Sequence, residues 1–264
     1  MKFWQVDSFS NEPFKGNPAA VVILETDISD ELKQNIAMEM NLSETVFVLM
    51  GEGNLEIRWF TPNSEVTLCG HATLAAGHIL FTENFINKDS VSFTSNSGEI
   101  GVSKGLNDSY TLDFPKQAAV NKPEYQDLVR DILRTDQIDF IGANHHDAVA
   151  VVREASFVRN YQADLVKISE LPERGFLLTA KSDTDQYDYI YRSFFPKLSV
   201  PEDPVTGSAN TLLAPYWANT LSKTSLTAFQ ASSRSGELSL EVESERVFIS
   251  GQAVTVIEGE LLVG

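Results

Sequence analysis

The apolar and polar positions along the chain follow two different periods, which together predict a mixture of strands and helices. Residues 3–9 and 55–61 alternate apolar with polar side chains, as half-buried strands do. Residues 30–40 predict a helix, because Ser29 can cap it and acidic residues stand in its first turn. Strands and helices fall into separate groups instead of alternating strictly. The pattern therefore favours an α+β fold.

The most informative stretch is 58–80, where a strand stops at Pro62 and a helix begins at Gly70. From Gly70 onward the side chains are small and apolar on most faces, which predicts a buried helix. A helix start carries unpaired N–H groups and the positive end of the helix dipole, so it suits an anion.

The same arrangement occurs again in the second half of the chain. The sequence RSFFP at 192–196 echoes RWFTP at 58–62, and EDPVTGSA at 202–209 echoes EVTLCGHA at 65–72. A repeat at half-chain distance predicts two related domains. A second helix is expected to begin at Gly207, with Thr206 as its cap, and the two helix starts are expected to meet at a cleft that holds a small carboxylate.

We place the N-terminal domain at 1–116 plus 254–264 and the C-terminal domain at 117–253. In the second domain, the pattern predicts a helix at 123–134, strands at 147–152 and 157–160, and a helix at 164–171. A turn is predicted at 51–54. Within the repeat, Arg58 and Arg192 are expected to pair with nearby glutamates, which makes a structural role the simpler interpretation.

Composition restricts the possible partners and the compartment. The formal net charge of −17 argues against binding to nucleic acid or to anionic membranes. A single cysteine, Cys69, excludes a disulfide within the chain and a thiolate metal cluster. The N-terminal residues lack a secretory apolar segment and no run is long enough to span a bilayer, so we expect a cytoplasmic protein.

Several ordered motifs resemble the phenazine-biosynthesis PhzF-like isomerases: VDSFSNEPFKGNPAAVV, NLSETVFV, RWFTPNSEVTLCGHATLAA, EDPVTGSA and SGQAVTVIEGEL. The resemblance runs from Val6 to Leu261. It implies the diaminopimelate epimerase-like fold, in which two similar domains each wrap a curved, largely antiparallel sheet or barrel round a central helix, with the active site between them. It also implies that no metal or organic cofactor is needed and that the protein is a homodimer.

The resemblance further implies roles for individual residues. The glutamate of the NLSE motif, which transfers the proton, is Glu44 here. The catalytic and substrate-binding positions of the family fall on Glu44, Asp203, His71, Gly70, Gly207 and Ser208. Because the helix dipole disfavours a cation at a helix start, we expect His71 to be neutral.

Other functions stay open at this point. Related epimerases use two thiols, one at each helix start, but here Cys69 is matched by Thr206, whose hydroxyl cannot act as a base at neutral pH. A single glutamate therefore explains the motifs better than a thiol pair. The alternatives are an epimerase that uses Cys69 with another second base, and a non-catalytic binding member of the family. His145-His146-Asp147 lacks an evident third metal ligand.

Overall fold

The structure, a computed structural model, describes residues 1–51 and 54–263. Residues 52 and 53, which belong to the predicted turn at 51–54, and residue 264 lie outside the described part. The chain forms two compact units: Met1–Asp113 together with the chain from Ser250 onward, and Phe114–Ile249. The boundaries predicted from sequence are 116/117 and 253/254. No described helix combines the length and the apolar character needed to cross a membrane.

The first unit consists of mostly antiparallel strands around one helix. Its strands are β1 (Lys2–Ser8), β2 (Asn17–Leu24), β3 (Glu44–Met50), β4 (Leu55–Phe60), β5 (Glu65–Val66), β6 (Ser90–Ser95), β7 (Gly98–Lys104) and β8 (Ser109–Pro115), and its helices are α1 (Asp30–Met40) and α2 (Gly70–Thr82). Helix α1 connects the parallel strands β2 and β3, and α2 connects the parallel strands β4 and β6. The other pairs are antiparallel.

Helix α2 is the centre of this unit, as the sequence predicts. It begins at Gly70, and every residue from 70 to 81 is buried. Small residues allow the strands to pack closely: a Cβ added at Gly77 would lie 2.6 Å from the side chain of Val102 in β7. The predicted cap of α1 is also confirmed, because the Ser29 hydroxyl accepts a hydrogen bond of 3.2 Å from the Leu32 amide.

The second unit repeats this topology. Its strands are β9 (Val120–Asn121), β10 (Ile138–Ala143), β11 (Asp147–Val152), β12 (Gly175–Lys181), β13 (Tyr189–Phe194), β14 (Ser225–Gln230) and β15 (Gly236–Val242), and its helices are α3 (Gln126–Leu133), α4 (Ala155–Asn160), α5 (Leu165–Ile168) and α6 (Asn210–Leu221). Helices α4 and α5 connect the parallel strands β11 and β12, and α6 connects the parallel strands β13 and β14. The α+β fold with two domains of similar topology is thus confirmed.

A long last strand, β16 (Arg246–Glu260), begins in the second unit and ends in the first. Its last part pairs antiparallel with β1, from Lys2 opposite Glu260 to Ser8 opposite Ala253. The first unit is therefore built from both ends of the chain.

Two predictions for the second unit are wrong. Residues 157–160 form part of helix α4 instead of a strand, because Ala155 and Val158, three positions apart, are both buried on one helical face. The apolar helix expected at 210–217 is present as α6, but the helix start expected at Gly207 lies in the preceding turn, and Thr206 is not the N-cap. The carbonyl groups of Gly207 and Ser208 instead close a turn by accepting from the amides three residues ahead.

Candidate active site

Three segments of the first unit bring polar side chains together around His71, the second residue of α2. Its Nε2 atom lies 3.0 Å from Oε2 of Glu44, the first residue of β3. Its Nδ1 atom lies 3.2 Å from the amide nitrogen of the Asn17 side chain and 3.5 Å from Sγ of Cys69. The Ser8 hydroxyl donates to the His71 carbonyl at 2.8 Å. Both ring nitrogens of His71 thus face polar atoms of neighbouring residues.

Burial differs between the two members of the Glu44–His71 pair. The His71 side chain is 7% exposed, whereas the Glu44 side chain is 18% exposed. The Oε2 atom of Glu44 is buried against the imidazole and has no well-aligned hydrogen-bond donor among the described residues. The Glu44 carboxylate is therefore partly shielded from water.

Opposing influences act on the pKa of His71. Burial by itself lowers the pKa of His71, but the negative charges of Cys69 and Glu44 act more strongly in the opposite direction and raise the pKa well above its ordinary value. Because burial raises the pKa of the Cys69 thiol, Cys69 exerts this influence only when it is ionised, and Glu44 is the upward influence that remains when it is not. The side-chain nitrogen of Asn17, a hydrogen-bond donor, faces Nδ1 and suits an unprotonated Nδ1, so the expectation of a neutral imidazole stays a prediction.

Cys69 occupies the N-cap position of α2 in an extended conformation. Burial raises the pKa of its thiol, and the charge of Glu44 raises it further. Its backbone carbonyl accepts from the amide of Thr73 at 3.1 Å and from the hydroxyl of Thr73 at 2.6 Å. Cys69 therefore anchors the helix start as a neutral thiol rather than as a thiolate.

The start of α2 leaves backbone donors available. Within residues 1–51 and 54–263, the amide N–H groups of Gly70 and His71 have no hydrogen-bond acceptor. Trp59 keeps this turn in place, because its indole N–H donates to the Thr73 hydroxyl at 3.1 Å. The free amides and the helix dipole make this end of the helix suitable for a carboxylate.

The second motif forms a loop before α6. Thr206 Oγ1 donates a hydrogen bond to the Asp203 carboxylate. The Asp203 amide donates to the Ser193 carbonyl at 3.0 Å. In the part of the chain that the structure describes, the amides of Gly207 and Ser208 have no acceptor. The sequence-predicted residues of this motif are therefore gathered in one loop of the second unit.

The internal repeat places Gly175 where the first copy has Glu44. Arg58 and Arg192 occupy equivalent places in the two copies. Each arginine lies opposite a residue of the neighbouring strand, and the residue three positions before that partner is Glu44 in β3 and Gly175 in β12. A Cβ at Gly175 would lie 2.3 Å from a ring carbon of Phe195. The aromatic ring thus fills the space that a side chain would need in the second copy.

The two arginines of the repeat are structural, as the sequence predicts. Arg58 makes two hydrogen bonds of 2.7 Å to the Glu65 carboxylate, and Arg192 makes two to Glu202 at 2.6 and 2.8 Å. Arg192 also donates to the carbonyls of two residues near the end of α4. These bidentate pairs tie each strand to the loop that leads to its helix.

The donor atoms of Glu44, Cys69 and His71 all lie within 4.8 Å of one another, and they are of the types that zinc accepts. The prediction that the protein needs no metal stays a prediction. His145 and His146 lie with their ring centres 3.8 Å apart, but the neighbouring Asp147 carboxylate is already paired with Arg174 at 3.1 Å.

The contacts of Asn17 and Ser8 with His71 were not predicted. Both residues lie in the VDSFSNEPFKGNPAAVV motif, at the end of β1 and the start of β2. Strands β1 and β2 are antiparallel neighbours, with Ser8 opposite Asn17. The motif pointed to this segment, but only the sheet register shows that it ends against the imidazole.

The fold and this site define a protein of the isomerase and epimerase class. The chain belongs to the phenazine biosynthesis-like protein family, PhzC-PhzF, whose model matches residues 6–259. It is 41% identical over 259 residues to an uncharacterized isomerase of Halalkalibacterium halodurans, covering 98% of this chain and 97% of the relative.

Solved structures agree with this assignment. A PhzF family protein of Enterococcus faecalis matches with a TM-score of 0.95 and 39% identity, covering 99% of both chains. A predicted epimerase of Pseudomonas aeruginosa matches with a TM-score of 0.80 at 19% identity, covering 100% of this chain and 99% of that one, which shows a shared fold alone.

Proposed function

We propose that the protein is a cofactor-independent isomerase that moves a proton within a small carboxylate substrate, with Glu44 as the only acid and base. One observation carries the proposal: the partly exposed Glu44 carboxylate lies 3.0 Å from His71 beside a helix start whose first amides are free. A proton-transfer site needs a positioned base and donors for the charge that develops on the substrate.

In the proposed reaction, the amides of Gly70 and His71 bind the substrate carboxylate. Glu44 removes the proton from the carbon next to that carboxylate, and the electron pair moves into a dienolate that these amides stabilise. The protonated Glu44 then returns the proton to the far carbon of the conjugated system. One C–H bond breaks, one forms and the double bond shifts, so the formula of the substrate does not change.

His71 has a positioning and electrostatic role in this scheme. The imidazole, whose Nε2 atom lies 3.0 Å from Oε2 of Glu44, keeps the carboxylate in place before the proton is removed. Asn17 and Ser8 in turn hold the imidazole and the backbone of His71. In this scheme, these residues hold the catalytic carboxylate in place and do not themselves exchange protons with the substrate.

We extend the proposal to the second motif, with Asp203, Gly207 and Ser208 as substrate contacts. The free amides of Gly207 and Ser208 support this role, since they match those at the start of α2. The homodimer and the cytoplasmic location stay predictions from sequence.

The two alternatives have less support. An epimerase that uses Cys69 as a base needs a thiolate, but burial raises the pKa of this thiol. Its counterpart Thr206 already donates its hydroxyl proton to Asp203. A purely non-catalytic role leaves the Glu44–His71 pair without a purpose, because a buried pair of this kind costs desolvation energy.

The test is solvent exchange in heavy water with a panel of β,γ-unsaturated and α-amino carboxylates, followed by proton NMR. We expect wild-type protein to shift the double bond of one class and to incorporate deuterium. Glu44→Gln should lower this rate by about 100-fold or more. Glu56→Gln, an exposed glutamate of the neighbouring strand β4, is the matched control and should be unaffected. Deuterium exchange that persists in Glu44→Gln would refute Glu44 as the base.

A further inference from the structure

One buried side chain connects the two ends of the loop at 203–206. Gln230 is the last residue of β14 and is fully buried. Its Oε1 atom accepts from the amide of Thr206 at 2.6 Å, and its Nε2 atom donates to the carbonyl of Asp203 at 2.6 Å. We propose that Gln230 is a positioning residue that sets the geometry of this loop for substrate binding. The functional part rests on the proposed role of Asp203, Gly207 and Ser208.

The two hydrogen bonds need a side chain with both an acceptor and a donor. A glutamine amide offers a carbonyl oxygen and an NH₂ group at the same distance from the backbone. An ionised glutamate accepts but does not donate, and a leucine of similar size does neither. Because the site is buried, each group left unpaired after such a change carries the full cost of its desolvation.

Other side chains complete the anchoring but do not replace Gln230. The Ser232 hydroxyl donates to the Pro204 carbonyl at 2.6 Å. Tyr191 and Asn210 donate to the Thr206 carbonyl at 3.2 and 3.1 Å. These bonds satisfy other carbonyl groups of the loop, whereas Gln230 binds the Thr206 amide and the Asp203 carbonyl.

The position of Gly207 and Ser208 follows from this contact. Both residues come directly after Thr206, and their free amides are the proposed donors to the substrate. Because Gln230 holds the loop at the Thr206 amide and at the Asp203 carbonyl, these donors stay in place before the substrate arrives. Preorganisation of this kind lowers the entropic cost of ordering the loop when the substrate binds.

The first test measures amide hydrogen exchange of residues 203–208 in wild-type protein and in Gln230→Leu. We expect the Thr206 amide to exchange roughly ten-fold faster in the variant, with protection in β11–β13 retained. Trp217→Phe is the matched control, because it removes one buried N–H bond, from Trp217 to Thr179, in the same unit. Unchanged exchange at Thr206 in Gln230→Leu, or a loss spread equally over the unit, would overturn the positioning role.

The second test measures kcat and KM with the substrate class that turns over in heavy water. Gln230→Leu should raise KM by roughly ten-fold or more while kcat changes much less, since Glu44 is untouched. Trp217→Phe should leave KM unchanged. A loosened loop with an unchanged KM would overturn the functional part of the inference. The Glu44 proposal is tested separately, by turnover of Glu44→Gln. If that proposal fails, the exchange measurement at Thr206 still tests the positioning role of Gln230.

Gln230→Glu provides a rescue experiment. A protonated glutamate has the same acceptor and donor as glutamine, whereas the ionised form repels the Asp203 carbonyl. We therefore expect the protection factor of the Thr206 amide in Gln230→Glu to recover as the pH falls, and no such recovery in Gln230→Leu. Equal pH responses in the two variants would argue against the paired hydrogen bonds as the cause.

Discussion

Acidification should destabilise the first unit through His78, a buried histidine of α2. Its Nδ1 atom lies 2.9 Å from the hydroxyl of Tyr110, and its Nε2 atom lies 3.0 Å from the hydroxyl of Thr255. Burial lowers the pKa of His78 from 6.5 to about 4, with smaller and opposing contributions from Asp108 and Lys104. The folded protein therefore resists protonation of this ring more strongly than the unfolded chain does.

The size of the effect follows from the two pKa values. Since the folded pKa is lower, the unfolded state binds the proton first, and the stabilisation present above pH 6.5 is lost as the pH falls towards 4. Each pH unit between the two values corresponds to about 1.4 kcal/mol, so the full loss is about 3 kcal/mol. By pH 5 the expected loss from this residue is about 2 kcal/mol.

Urea unfolding at a series of pH values measures this directly. His78→Gln cannot titrate, so between pH 7 and 5 its free energy of unfolding should fall by about 2 kcal/mol less than that of the wild type. His145→Gln, an exposed histidine of the second unit, is the control and should behave like the wild type. If wild type and His78→Gln show parallel pH profiles, His78 does not keep a lowered pKa in the folded protein and the reasoning fails.

Three further predictions concern the site and the repeat. His71→Gln should lower kcat at least about ten-fold with little change in stability, as measured by turnover in heavy water and by urea unfolding; an unchanged kcat would argue against the His71–Glu44 contact in catalysis. EDTA should leave turnover intact, whereas added Zn²⁺ should inhibit it by binding the Glu44, Cys69 and His71 donors; the same inhibition in Cys69→Ser would place the metal elsewhere. Gly175→Ala should cost about 1–3 kcal/mol in urea unfolding, because its Cβ overlaps the Phe195 ring; a second variant, Gly175→Ala with Phe195→Leu, should recover part of that loss.

The success of the sequence predictions depended on how local each signal is. Ser29 and the acidic residues after it fix the start of α1 within a few positions, and the small apolar residues after Gly70 fix the course of α2. The strand predicted at 157–160 was wrong because Phe157 and Val158 also suit strands, and only their packing in the second unit selects a helix.

The geometry of the site could likewise be predicted only in part from local sequence. The motifs identify Glu44 and His71, but their 3.0 Å separation depends on the register of β3 beside α2. The pKa of His71 could not be inferred from the helix dipole alone, because burial lowers it and interactions with Cys69 and Glu44 raise it. Gln230 carries no motif, and its role is visible only where β14 ends beside the loop.

Because β16 pairs with β1, the ribosome must synthesise the second unit before the first unit can be completed. Its strand β1 leaves the exit tunnel before the second unit, but the part of β16 that covers one edge of β1 is translated after the second unit, with Lys2 opposite Glu260. Until then the edge of β1 is exposed and needs protection from aggregation, whereas most of the second unit is already complete. A truncated chain that ends before Ser250 should therefore retain a folded second half and an unfinished first one.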